Sequence, residues 1–134
     1  MKIFIVDDES EIVKLYMMFL RNKGHEIIAT SNSTSAFEII EENSFDLIIT
    51  DKRMPKVSGN KIIEFVEDKK PMVPILVLTA DSDMTYDFSN PQSKIVIKPI
   101  MMADLIDHVE KIEKNSLATN FLNDTTVPNP NMLN

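Results

Sequence analysis

The segment from Leu47 to Pro55 constrains the fold of this chain more than any other stretch. It opens with Leu-Ile-Ile-Thr, a run of apolar and β-branched residues that indicates a buried strand, and Asp51 follows directly. Met54-Pro55 then forces a loop, because the residue before a proline is disfavoured in the helical conformation. Asp51 is therefore expected at the carboxyl end of a buried strand, the edge of an open α/β sheet at which ligands bind.

Four other short runs of apolar and β-branched residues alternate with segments in which apolar residues recur at three-to-four spacing. The five predicted strands are Lys2–Val6, Glu26–Thr30, Leu47–Thr50, Pro74–Leu78 and Lys94–Ile97. The predicted helices are Glu11–Lys23, a helix that carries Ala36 to Ile40, Asn60–Lys69 and Met102–Asn115. Apolar strands that alternate with helices predict an α/β fold in which helices cover both sides of a parallel sheet.

Two parts of the chain depart from this alternation. Between Asp81 and Ser93, one methionine and two aromatic residues are scattered among Asp, Ser and Asn, so we expect a shortened or mobile fourth helix there. From about residue 115 the sequence becomes polar and Asn-rich, which predicts one domain over residues 1–114 and a tail over residues 115–134. Leu117 and Phe121 are four residues apart, so an extension of the last helix stays open.

Composition excludes several kinds of site and partner. The 134 residues suffice for one domain with a sizeable core. Cysteine is absent, which excludes disulfides and thiolate metal sites, and two glycines are too few for a glycine-rich phosphate loop. A net charge of −7 argues against nucleic-acid binding. No apolar run is long enough for a signal peptide or a membrane span, so we expect a cytoplasmic protein without membrane insertion.

Polar side chains follow four of the five predicted strands. Right-handed crossovers bring all the strand ends to one edge of the sheet, which would gather Asp7, Asp8, Asp51, Thr79 and Lys98. Crowded carboxylates repel one another unless a cation is present, and hard oxygen ligands of this kind suit Mg²⁺. A metal ion, a hydroxyl and an ammonium group beside a carboxylate are what phosphoryl transfer to that carboxylate requires.

The same segments carry a resemblance to a known family. In order and approximate spacing, they are similar to the receiver domains of two-component response regulators, and the resemblance covers about residues 1–114. The matching segments are Val6–Glu9, Asp51–Pro55 with Gly59 after it, Leu78–Ala80, and Lys98–Pro99. The resemblance implies a flavodoxin-like, doubly wound sheet with strand order 2-1-3-4-5.

The resemblance also implies a function and a role for each site residue. The chain would be a stand-alone receiver that takes a phosphoryl group from a histidine kinase or a histidine phosphotransfer protein and then binds an unknown downstream protein. It would not turn over a substrate as an enzyme does. The implied roles are phospho-acceptor for Asp51, Mg²⁺ ligands for Asp8, Asp51 and the Arg53 carbonyl, water-mediated metal contact for Asp7, switch hydroxyl for Thr79, and phosphoryl binding for Lys98 before a cis bond to Pro99.

Two other functions compete with that of a phosphorylation-dependent receiver, and one of them is suggested by departures from the family pattern. Three positions before Lys98, where receivers usually carry an aromatic switch residue, this chain has Ile95. That residue and the weak Asp81–Ser93 segment would suit a pseudo-receiver, a binding module that has lost switching. A haloacid-dehalogenase-like phosphatase would need an acid two residues after Asp51, where this chain has Arg53. We expect the side chains of Lys52 and Arg53 to be exposed.

Overall fold

The computed structural model describes residues 1–123, with side chains through residue 118. Five strands and four α-helices alternate along this part of the chain. The strands are β1 (Lys2–Val6), β2 (Glu26–Thr30), β3 (Leu47–Asp51), β4 (Ile75–Thr79) and β5 (Lys94–Ile97). The helices are α1 (Ser10–Asn22), α2 (Ala36–Glu42), α3 (Gly59–Lys69) and α4 (Met102–Asn123), with a short 3₁₀ helix, Ser33–Ser35, before α2.

The five strands form one parallel sheet in the order β2-β1-β3-β4-β5. This order confirms the predicted flavodoxin-like, doubly wound fold. The register places Val6 beside both Thr30 and Thr50, and it places Asp51 beside Leu78. The carboxyl ends of β1, β3 and β4 are therefore level with one another, so the residues that follow these strands meet at one edge.

Successive residues of the central strands point to opposite faces of the sheet, and both faces are buried. On one face, Ile3 and Ile5 of β1 pack in a cluster with residues of α1 and α4. On the other face, Phe4 and Val6 pack in a second cluster with residues of α2 and α3. Burial on both faces explains why the strands are continuous apolar runs instead of alternating patterns.

The connection between β4 and β5 contains no helix. Residues 80–93, which we call the strap, follow an irregular path, so turns and irregular chain take the place of the predicted shortened helix. The physical reason is composition, because Asp, Ser and Asn favour turns and Asn90-Pro91 blocks a helix. The rings of Tyr86 and Phe88 contact each other in a tilted arrangement, with 4.8 Å between their centroids, and pack against the second cluster.

Polar contacts also hold the far end of the strap. The Asn90 side-chain amide donates to the Met72 carbonyl at 3.1 Å, and the backbone N–H of Ile75 donates to the Ser93 hydroxyl at 2.8 Å. The hydroxyl of Ser89 donates a hydrogen bond to the Glu67 carboxylate. The strap is therefore fastened to α3, to the loop after it and to β4.

The last helix is longer than predicted. It continues past Asn115 to Asn123, the last residue that the structure describes, so part of the predicted tail of residues 115–134 is helical. Residues 124–134 lie outside the described residues. No glycine or proline occurs between Pro99 and Pro128, so nothing in the sequence stops the helix at Asn115. Within residues 1–123, no helix combines the length and the apolar character that crossing a bilayer requires.

Gly59, the first residue of α3, allows a close backbone approach to β3. Its N–H donates to the Lys52 carbonyl at 2.7 Å, and a Cβ there would overlap the Asp51 carbonyl oxygen and lie 2.7 Å from Lys52 Cα. Backbone atoms cannot move aside as a flexible side chain can. The backbone of Asp51 can therefore keep its position only because residue 59 has no side chain.

We expect Gly59→Ala to lower the free energy of unfolding by about 1–3 kcal/mol, because an inserted methyl group must displace backbone. Urea denaturation measures this loss, and amide NMR shifts of residues 50–53 report the displacement of β3. Gly24→Ala is the control for the NMR shifts: alanine is strained at φ 91° and should also lower stability, but its Cβ meets nothing within 4 Å, so residues 50–53 should keep their shifts. Wild-type stability and unchanged shifts around Asp51 in Gly59→Ala would contradict the expected clash.

Candidate functional site

Three carboxylates converge at the edge of the sheet where β1 and β3 end. Asp7, Asp8 and Asp51 each offer a carboxylate oxygen within 4.8 Å of the other two. Asp7 and Asp51 are buried, with 2% and 8% of their surface exposed, whereas Asp8 is exposed. Beside them an open cleft of about 490 Å³ is lined by Asp8, by residues of the loop after β3 and by Asn60 in the first turn of α3. A ligand can therefore reach the cluster from solvent.

Local hydrogen bonds set the position of the two buried carboxylates. Asp7 accepts the backbone N–H of Glu9 at 3.0 Å, which fixes the turn between β1 and α1. Asp51 Oδ1 lies 3.5 Å from the backbone N of Arg53. Helix α1 begins at Ser10, and Glu9 at its N-cap position makes no side-chain capping bond. The carboxylate of Asp7 thus organises the start of this helix.

Lys98 brings a positive charge from β5 to the cluster. Its Nζ lies 3.2 Å from Asp7 Oδ2 and 3.4 Å from Asp51 Oδ2. Burial alone would lower the pKa of Lys98, but the two carboxylates raise it above the ordinary value. The Lys98–Pro99 peptide bond is cis, as the family resemblance implied. Lys98 therefore remains an ammonium group between Asp7 and Asp51.

One ammonium group does not balance three carboxylates. Burial raises the pKa of Asp7 above its ordinary value, and the neighbouring Asp51 charge adds to this effect even though Lys98 opposes it. A divalent cation would remove the excess negative charge. Three closely spaced carboxylate oxygens are the kind of ligand that Mg²⁺ accepts. The donor set therefore fits a magnesium ion.

Thr79 and Ile95 occupy two positions to which the family resemblance assigns switching. Thr79 is the last residue of β4, and its hydroxyl, in a side chain that is 1% exposed, accepts the backbone N–H of Asp81 at 3.0 Å. Ile95 is half-buried and packs in the cluster on the α2 and α3 side. The structure thus places Thr79 at the site edge and an aliphatic residue at the usual position of the aromatic one.

An ion pair beside the site was missed from the sequence. Lys52 Nζ lies 2.5 Å from Asp81 Oδ2, and this contact holds the pKa of Asp81 below its ordinary value. The side chain of Lys52 is 21% exposed, so the prediction that it is exposed is wrong, whereas Arg53 is 78% exposed as expected. The sequence signal was positional: Lys52 directly follows β3, and Asp81 lies two residues after the end of β4, the strand that pairs with β3.

Comparison with protein families and characterised proteins identifies similar sequences. The family model described as the response regulator receiver domain matches residues 3–110. The transcriptional regulatory protein SrrA of Staphylococcus aureus is 28% identical over 121 residues, which cover 88% of this chain and 50% of SrrA. The chain therefore spans about half the length of this relative.

Solved structures with the same fold include two with higher identity. The response regulator TrrA of Thermotoga maritima, in complex with Mg²⁺ and BeF, is 31% identical, with a TM-score of 0.72 over 83% of this chain and 97% of TrrA. A receiver domain protein of Clostridium thermocellum is also 31% identical, with a TM-score of 0.73 over 87% of this chain and 98% of that one.

We expect Asp7→Asn to raise the unfolding temperature of the metal-free protein by a few degrees. The raised pKa of Asp7 means that its charged form costs free energy in the fold at neutral pH, and the amide removes that cost. The same variant should gain less stability from added Mg²⁺ than wild type does. Thermal unfolding with and without Mg²⁺ measures both effects, and Asp68→Asn, at an exposed position on α3, is the control. A lower unfolding temperature without metal, or an unchanged response to Mg²⁺, would contradict this account.

Proposed function

The chain belongs to the response regulator receiver domain family, and on that premise we propose that it is a phosphorylation-dependent signalling receiver whose phospho-acceptor is Asp51. The observation that carries this proposal is the placement of Asp51 between two other carboxylates and the ammonium group of Lys98. A nucleophilic carboxylate at a site with compensating positive charge is suited to accept a phosphoryl group. The chain then acts by binding a partner and not by turning over a substrate.

In the proposed reaction, an Asp51 oxygen attacks the phosphorus of a donor phosphohistidine. A new O–P bond forms, the P–N bond breaks, and the imidazole nitrogen keeps the electron pair. Before transfer, Lys98 Nζ lies 3.4 Å from Asp51 Oδ2, which would bring it within reach of the phosphoryl oxygens after transfer. The Thr79 hydroxyl can donate a hydrogen bond to another of these oxygens. Both groups stabilise charge that spreads over the phosphoryl group.

We propose that Asp8, Asp51 and the backbone carbonyl of Arg53 hold Mg²⁺, with Asp7 in contact mainly through water. The close approach of the three carboxylate oxygens supports this set, as does the Mg²⁺ in the structure of the related TrrA. When bound, the ion supplies positive charge that offsets both the carboxylates and the incoming phosphoryl oxygens. Asp7 and Asp8 thus orient the site, and Asp51 alone reacts.

A histidine kinase or a histidine phosphotransfer protein is the proposed phosphoryl donor, acting in the cytoplasm. Helix α1, which begins beside Asp8, carries an exposed apolar stripe: Leu15, Met18 and Phe19 are 38%, 60% and 36% exposed. Neighbouring exposed apolar side chains on one helix favour contact with another protein. A donor protein that rests on this stripe would bring its histidine over the site.

A pseudo-receiver is the second candidate, and two observations favour it. Ile95 offers no aromatic ring to move when Thr79 is engaged, and the strap stands where a helix was expected. In a pseudo-receiver, a ligand at Asp51 would leave Thr79 and the strap unchanged. In a working receiver it would displace them, because Thr79 is joined to the strap by the hydrogen bond from Asp81.

We expect Asp51→Asn to abolish the uptake of phosphoryl groups from acetyl phosphate in the presence of Mg²⁺, because an amide is not a nucleophile. Intact-protein mass spectrometry of the wild type should show the gain of one phosphoryl group. Asp87→Asn, which changes an exposed carboxylate in the strap, should retain full uptake. Equal uptake by Asp51→Asn and wild type would rule out Asp51 as the acceptor.

A further inference from the structure

We propose that Asp81 and Lys52 form a positioning pair for phosphoryl transfer, in which Lys52 holds Asp81 and Asp81 holds the hydroxyl of Thr79. This pair deepens the function proposed above and rests on it. Through this pair, Lys52, which follows the phospho-acceptor, is linked to Asp81 in the strap and to the hydroxyl of Thr79. Its consequence is that the strap and the reacting groups move as one unit.

Both oxygens of the Asp81 carboxylate make polar contacts with neighbouring segments. Oδ2 lies 2.5 Å from Lys52 Nζ and 3.6 Å from an Arg53 guanidinium nitrogen. Oδ1 accepts the backbone N–H of Asp83 at 3.0 Å. Both oxygens are therefore engaged, one with the loop after β3 and the other with the strap. The carboxylate thereby fixes the direction in which its own backbone runs.

The backbone of Asp81 is hydrogen-bonded to the side chain of Thr79. The N–H of Asp81 donates to the Thr79 hydroxyl oxygen at 3.0 Å. A hydroxyl that accepts one hydrogen bond keeps its proton for donation elsewhere, and the fixed oxygen limits the directions that the proton can take. Because Thr79 is nearly fully buried, water does not compete freely for this bond. The Asp81 backbone thus orients the hydroxyl that the phosphoryl group needs.

Lys52 directly follows Asp51 in the chain and links the acceptor residue to Asp81. Its side chain and that of Asp81 are 21% and 19% exposed, so the ion pair is less screened than a surface pair. Arg53 is 78% exposed and 3.6 Å away, so it contributes less to holding Asp81. Any displacement of the backbone at Asp51 and Lys52 is therefore passed to Asp81, and from Asp81 to Thr79.

A different role for Lys52 would be direct electrostatic attraction of the phosphoryl donor. In that case the charge of Lys52 would matter whether or not Asp81 is ionised. If Lys52 acts through Asp81, removing either charge breaks the same link, and removing both causes no further loss. A double-mutant cycle of Lys52→Gln and Asp81→Asn separates the two roles. Asparagine at position 81 keeps the backbone N–H and can still accept the bond from Asp83.

The experiment measures the rate of phosphoryl uptake from acetyl phosphate at saturating Mg²⁺, together with Mg²⁺ affinity and the side-chain rotamer of Thr79 from methyl NMR couplings. We expect Lys52→Gln, Asp81→Asn and the double variant each to be slower by about threefold to tenfold, with Mg²⁺ affinity nearly unchanged and Thr79 averaged over rotamers. Lys52→Arg, which keeps the charge, should restore the rate. Asp107→Asn is the control, because it breaks the exposed Asp107–Lys111 pair on α4.

Several results would overturn the positioning pair. Wild-type rates in Lys52→Gln or Asp81→Asn would do so, as would losses in the two single variants that multiply in the double variant. A single fixed rotamer of Thr79 in Asp81→Asn would also contradict it. If the wild type takes up phosphoryl groups normally, these results leave the proposed function intact. Failure of the wild type itself to be phosphorylated on Asp51 would overturn both.

Discussion

The parallel register of β1, β3 and β4 is the constraint on which the rest of this structure depends. Because these strands end level with one another, Asp7, Asp8 and Asp51 have oxygens within 4.8 Å of each other. Close carboxylates repel, and in a folded protein that repulsion is tolerated only where other interactions hold the backbone in place. Here the continuous apolar strands, buried on both faces, supply those interactions.

The same crowding explains how the site can respond to a ligand. The excess of negative charge makes the cluster attractive to a cation, and Lys98 remains charged between two of the carboxylates. If Asp51 is phosphorylated as proposed, the phosphoryl oxygens become new partners for Lys98 and Thr79. Since Thr79 is bonded to Asp81, and Asp81 to Lys52, the change of charge would then reach the strap through short contacts.

The strands and the gathering of Asp7, Asp8, Asp51, Thr79 and Lys98 were predictable, because apolar runs and strand-end residues are local signals and right-handed crossovers fix one edge. The strand order was implied only by the resemblance to receiver domains. The strap was not predictable, since its path depends on Tyr86 and Phe88 packing on the sheet and on tertiary hydrogen bonds. The Lys52–Asp81 pair required the register of β3 and β4 as well as the residue types. The length of α4 was underestimated because a polar composition does not by itself end a helix, and no glycine or proline interrupts this one.

An amide-resolved NMR titration with Mg²⁺, followed by beryllofluoride as a stand-in for the phosphoryl group, shows whether the site at Asp51 binds a metal ion and whether it switches. We expect Mg²⁺ to shift the resonances near Asp8, Asp51 and Arg53, and beryllofluoride then to shift those of Thr79, Asp81 and the strap. Shifts confined to the metal ligands would mean that the site binds without switching, as in a pseudo-receiver. No shift around Asp51 with either addition would contradict the assignment of the site.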